Sequence, residues 1–221
     1  MTSSLPIRFL FDYVSPYAYI AWTQVHAMAE RHGRAVEPVP ILFAALLAAH
    51  GHKGPAEIPP KRIYIFKNVA RQAHRLSLPL VPPPAHPFNP LLALRASSLP
   101  METATRRRWI DRLYAATWAG GPGVEDPAVV ARLAGELGLD GDAVVAAARS
   151  DEAKARLRAQ TDEAVRAGVF GVPTILVGDE LFWGYDAFPD VEQYLRGEDP
   201  IDLAGLARWA NLPATARREG A

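Results

Sequence analysis

The chain has 221 residues, 49% hydrophobic and 22% charged, with 24 lysines and arginines balancing 24 aspartates and glutamates. That length supports one sizeable core with a second helical layer, and the charge balance gives no reason to expect a nucleic acid or membrane surface as partner. The absence of cysteine excludes a disulfide framework, a thiolate metal site and any dithiol redox chemistry of the protein's own.

Met1 to Pro6 is too short and polar for a signal peptide, and no apolar run approaches the roughly 18 residues of a membrane helix. The cytoplasm is therefore the expected location. Ile7 to Phe11 reads as a buried strand, followed by Asp12-Tyr13. Ser15-Pro16 then starts a helix, serine as the cap and proline in the first position, where no N–H is needed. Ala18, Ala21, Trp22, Val25, Met28 and Ala29 repeat at helical spacing up to Gly33. Ala35 to Leu42 is a second strand, placed at a sheet edge by Pro38 and Pro40.

The middle is helical. The pattern predicts a loop over Gly51 to Pro60 and a helix over Lys61 to Leu76, then a stiff connection from Leu78 to Pro90 through Pro82-Pro83-Pro84. Helices follow over Pro90 to Ser98 and Met101 to Trp118, the latter with Ile110, Leu113, Tyr114 and Thr117 on one face. Asp126-Pro127, Asp140 and Asp151 each read as the start of a further helix. Gly171 to Val177 returns to strand through Pro173, Gly178-Asp179 turns a hairpin, and Glu180 to Trp183 is its partner. Ala187 to Leu195 closes the pattern, with room for one more helix before the charged tail Arg217-Arg218-Glu219.

Two segments carry chemistry. Ser15 alone reads as a helix cap, yet a helix start after a buried strand also favours an anion, and a hydroxyl there can donate to a thiolate. Gly171-Val172-Pro173-Thr174 alone reads as a strand start, with a cis Val172-Pro173 bond as the sharper alternative. His50-Gly51-His52 lacks a third ligand at metal spacing and reads as an exposed loop; Arg106-Arg107-Arg108 reads as a solvated helix face.

Taken together, Ser15-Pro16-Tyr17 and Gly171-Val172-Pro173-Thr174 resemble the DsbA-type thioredoxin fold. With Lys61 ahead of Tyr64, Asn89, and Phe182-Trp183-Gly184-Tyr185-Asp186, the chain from Ile7 to Leu195 resembles the 2-hydroxychromene-2-carboxylate isomerase and kappa-class glutathione transferase family. The resemblance implies an α/β thioredoxin-like domain (1–42 and 168–221) interrupted by an all-helical domain (43–167). It implies glutathione as cofactor, a small aromatic carboxylate as substrate, and a homodimer. Ser15 would stabilise the glutathione thiolate, the Val172 backbone beside Pro173 would pair with the cysteinyl unit, and Asp186 would meet the γ-glutamyl end. Tyr185 would join the glutathione-binding residues, although relatives often carry a small or amide side chain at that place before the aspartate. Lys61, Tyr64 and Asn89 would face the substrate acid or the glycyl carboxylate. The implied route adds the thiolate to the unsaturated substrate, rotates the resulting single bond and expels the thiolate. A kappa-type transferase or peroxidase, and a non-catalytic thioredoxin-fold binding module, are the alternatives.

Overall fold

The computed structural model describes residues 5–213 and 215. Four strands, β1 (Ile7–Phe11), β2 (Val36–Pro40), β3 (Thr174–Val177) and β4 (Glu180–Trp183), form one sheet in the order β2-β1-β3-β4. β1 runs parallel to β2, with Phe9 opposite Pro38, and antiparallel to β3, with Phe9 opposite Ile175. β2 lies at the edge, where Pro38 and Pro40 forfeit fewer ladder bonds.

The side-chain alternation of β1 divides the core in two. Ile7, Phe9 and Phe11 face helix α1 (Pro16–Arg31) and the larger cluster, whereas Leu10 joins Val39, Ile41, Val172 and Leu176 on the other face. Between β2 and β3 come α2 (Phe43–Ala49), α3 (Pro59–Arg75), α4 (Leu91–Ser98), α5 (Thr103–Trp118), α6 (Pro127–Gly135), α7 (Gly141–Arg149) and α8 (Asp151–Arg166). After the hairpin follow α9 (Phe188–Leu195) and α10 (Leu203–Ala210).

The helical block reaches the sheet through aromatic rings. Tyr13 meets Tyr114 of α5 edge-on at 4.8 Å and Phe11 at 5.3 Å, each pair contributing about 0.5–1.5 kcal/mol beyond its buried area. The Trp22 indole N–H donates to Asp111 at 2.6 Å, tying α1 to α5.

The helix starts at Asp126 and Asp140 are where the pattern predicts them, each side chain accepting from a first-turn amide. Three readings change. α2 falls where no helix was predicted. The cap of α8 is Ser150, whose hydroxyl accepts from Ala153 N–H at 3.1 Å, so Asp151 is the first helical residue. Arg107 and Arg108 are exposed as read, but Arg106 is half-buried: its guanidinium donates to the Ser97 and Leu99 carbonyls, closing the C-terminal end of α4. The charged tail from Arg217 lies outside the described residues. Among the described residues, no helix is long and apolar enough to cross a membrane, and no group of three or more His, Asp or Glu is placed to hold a metal ion.

Candidate active site

Ser15 is the N-cap of α1. Its backbone is extended (φ −91°, ψ 114°), which turns the hydroxyl back over the first turn, where it accepts from Ala18 N–H at 3.2 Å. The same hydroxyl donates to the Val172 carbonyl at 3.3 Å, across 157 residues of sequence. Ser15 is 8% exposed. The Val172-Pro173 peptide is cis, and the Pro173 carbonyl accepts from Gly184 N–H at 3.0 Å, which anchors that segment to the end of β4. Among the described residues the Val172 N–H has no hydrogen-bond partner. A hydroxyl donor, the positive end of a helix and an open stretch of backbone thus meet at one point.

The turn leading into Ser15 is tightly held. The Asp12 carbonyl accepts from Ser15 N–H (3.1 Å), the Tyr13 carbonyl from the Trp118 indole (2.9 Å) and the Val14 carbonyl from His86 Nε2 (3.0 Å). The Asp12 carboxylate accepts from Val14 N–H at 3.0 Å and Phe43 N–H at 2.9 Å. Burial pushes Asp12 up to about 7, against the downward pull of those two amide bonds. Burial also depresses His86, opposed by its bond to Val14 and reinforced by Arg62. The His86-Pro87 peptide is cis as well.

Beside α1 opens a cavity of about 400 Å³ lined by Gln24, Arg31, Tyr185, Asp186, Phe188 and Glu192 among others. Arg31 is paired with Glu192. Tyr185 packs edge-on against Phe188 at 5.1 Å, so its ring forms part of the wall. Tyr17, on the first turn of α1, ties that helix to α3: its hydroxyl donates to Asn68 at 3.0 Å. Burial raises its pKa, with smaller contributions from Tyr64 and Asp186.

Lys61 and Tyr64 sit on the first turns of α3, both exposed, Tyr64 to 61%. Lys61 makes no ion pair among the described residues. Asn89 is separate: its side-chain oxygen accepts from Leu91 N–H at 3.1 Å at the start of α4, and its own N–H donates to Glu125. No hydrogen bond joins Asn89 to Lys61 or Tyr64 among the described residues. Ser15, Val172 and Pro173 are therefore gathered, Tyr185 and Asp186 share the cavity beside α1, and Tyr64 comes near Tyr17.

Residues 6–196 match the DSBA-like thioredoxin domain. Over 193 residues the chain is 30% identical to a 2-hydroxychromene-2-carboxylate isomerase from Sphingobium xenophagum, covering 86% of this chain and 97% of that protein. The chain belongs to the 2-hydroxychromene-2-carboxylate isomerase family. A solved 2-hydroxychromene-2-carboxylate isomerase superposes with a TM-score of 0.80 at 25% identity, covering 93% of this chain and 98% of the other. The chain is also 28% identical over 209 residues to glutathione S-transferase kappa 2 of Caenorhabditis elegans, covering 86% of this chain and 91% of that protein.

Beyond the residues read from the sequence, this member of the isomerase family brings Asp12, His86 and Trp118 against the Ser15 turn, and Gln24 and Arg31 into the cavity. Gln24 and Arg31 follow Tyr17 at seven-residue intervals on α1, a spacing that marks one helix face. His86 has no comparable signal, since nothing in a proline-rich segment indicates which carbonyl its ring will meet.

Proposed function

We propose that the protein is a glutathione-dependent isomerase acting on a small aromatic carboxylate of the 2-hydroxychromene-2-carboxylate type. The observation that carries this reading is the Ser15 hydroxyl at the start of α1, 3.3 Å from the Val172 carbonyl. The donor set suits a tripeptide thiol. The Val172 N–H is available to an extended peptide, and the Asp186 carboxylate borders the cavity that would take a γ-glutamyl ammonium. When bound, glutathione supplies a nucleophilic thiolate. The chain's own part is to keep that sulfur ionised: the Ser15 proton turns from the Val172 carbonyl to the sulfur, and the α1 amide end favours negative charge beside it. Lys61 and Tyr64 offer a cation and an aromatic face to an anionic ring substrate, with the Asn89 amide at the start of α4 as a further donor. The reading includes the helical segment 43–167 as a substrate-facing domain, a homodimer and a cytoplasmic setting.

The likeness to kappa-class transferases favours a second reading, conjugation of glutathione to electrophiles. The test is to follow isomerisation of 2-hydroxychromene-2-carboxylate with and without glutathione, beside conjugation of a neutral electrophile. Isomerisation that requires glutathione and outpaces conjugation is expected. Conjugation alone would establish the transferase, and isomerisation indifferent to glutathione would reject the cofactor.

A further inference from the structure

We propose that Asp12 and His86 are positioning residues for Ser15, acting on the two peptide groups that flank Val14. The inference rests on the reading of Ser15 as the thiolate's hydrogen-bond donor. Its basis is where the polar groups around Val14 go. The Val14 N–H goes to Asp12 Oδ1 and the Val14 carbonyl takes His86 Nε2, each at 3.0 Å. The Asp12 and Tyr13 carbonyls are held by Ser15 N–H and the Trp118 indole. None of these four groups has a second partner among the described residues, so losing either side chain removes one of the two hydrogen bonds that hold a peptide whose torsions aim the Ser15 hydroxyl.

Both clamps are anchored. The second oxygen of Asp12 binds Phe43 N–H at the start of α2, and Asp12 is fully buried. A carboxylate accepts two amides at once, whereas a carboxamide has only one acceptor oxygen. His86 is held in turn: its carbonyl accepts from Arg62 at 3.1 Å, and its ring lies 5.6 Å from Trp118 and 5.2 Å from Phe66. Because the Val14 carbonyl can only accept, Nε2 carries the proton, which leaves Nδ1 buried without a partner. The contacts come from three different parts of the chain, so the helical block takes part in setting the nucleophile's donor.

Protonating Asp12 turns one acceptor oxygen into a donor facing an amide, so the clamp has two states across neutral pH. The titratable groups facing it are Tyr13 beside it and Tyr114 of α5, both kept neutral by burial; Arg62 faces His86.

The experiment begins without ligand. The amide resonances of Val14 and Phe43 should move together through one midpoint near 7 in the wild-type protein and stay flat in Asp12→Asn. With glutathione and substrate, Asp12→Asn and His86→Leu should lower kcat about threefold to tenfold while changing KM less than about twofold, and raise the pKa of the bound thiol. His86→Gln, which keeps a donor, should recover most of the loss. Amides that titrate separately, or not at all, overturn the Asp12 clamp. Variants that melt earlier while kcat and thiol ionisation stay unchanged reduce both residues to fold supports. If the wild-type protein does not bind glutathione the cofactor reading fails, yet the ligand-free titration still decides the Asp12 clamp. Variants that do not fold leave that wild-type titration decisive.

Discussion

Ser15→Ala separates two duties of one hydroxyl. As a cap, Ser15 satisfies Ala18 N–H at 3.2 Å, and its loss should cost about 1 kcal/mol, a fall of about 2–4 °C in Tm for a chain of this size. As a donor, its proton exchanges a neutral bond to Val172, worth about 1 kcal/mol, for a charge-assisted bond to sulfur worth about 1.5–3 kcal/mol. The net of about 0.5–2 kcal/mol corresponds to about 0.4–1.5 pKa units. Counting the hydroxyl alone, a thiol of ordinary pKa near 8.5 is ionised to about 7–50% at pH 7 with the serine, against about 3% without it, and any depression by the helix end is common to both proteins. Turnover should drop by at most about fifteenfold at pH 7 and hardly at all at about pH 9, where both thiols are mostly ionised. The assay is a pH–rate profile at saturating glutathione, with the ultraviolet absorbance of the bound thiolate followed in parallel. A loss that is the same at both pH values, with an unmoved thiolate titration, would leave Ser15 a cap and nothing more.

Lys61→Met should weaken an anionic substrate by roughly 0.5–1 kcal/mol, a modest figure because Lys61 stands exposed, and should spare a neutral electrophile; equal losses in kcat/KM would detach Lys61 from the substrate acid. Asp186→Asn should raise the Kd of glutathione and of S-methylglutathione alike, about threefold to tenfold by calorimetry, since it acts at the end remote from sulfur; unchanged affinity would remove Asp186 from the site. Asp12, raised to about 7 when folded, binds its proton more tightly there than in the unfolded chain, so its contribution to stability declines as pH rises from about 4 to 7, by up to about 4 kcal/mol. His26, lowered to about 4 by burial and Arg107, opposes that slope, because the unfolded chain takes up its proton first as pH falls. Urea unfolding of Asp12→Asn should flatten the decline and His26→Gln should steepen it; parallel curves for wild type and both variants would contradict the assignment.

The parts of the fold that could be read in advance were those where a local signal and a long-range need agree. Ile7, Phe9 and Phe11 are apolar at strand spacing, and the sheet buries them on one face. Pro38 and Pro40 pointed to an edge, and β2 is one. α2 was missed because Phe43-Ala44-Ala45-Leu46-Leu47-Ala48-Ala49 has no capping side chain at Leu42 and no polar face to show a period; packing of Leu46 beneath the sheet makes it a helix. Ser150 and Asp151 are both good cap residues, and composition does not choose between neighbours. At the site, Ser15 and Val172 were recognisable as a pair through their motifs, whereas Asp12 looked like the end of a strand. Its importance comes from Phe43, an amide 31 residues away that only the folded sheet brings within reach.

A serine at the start of α1 places the same electrostatic demand on a borrowed sulfur that a cysteine would place on a resident one. The first turn of α1 holds no acidic side chain to offset the helix end. Pro16 has no N–H and Ala18 N–H is taken by Ser15, so among the described residues Tyr17 N–H is the first-turn amide without a partner. The hydroxyl accounts for at most about 1.5 units of thiol depression, because it must give up Val172 to reach the sulfur. A helix end in a partly buried setting adds up to about 2 kcal/mol, a comparable amount. In Ser15→Ala the second contribution survives, so the variant's bound thiol should still ionise below free glutathione. A variant thiol titrating like free glutathione would mean that the helix end does not reach the sulfur, and that the hydroxyl alone sets its charge.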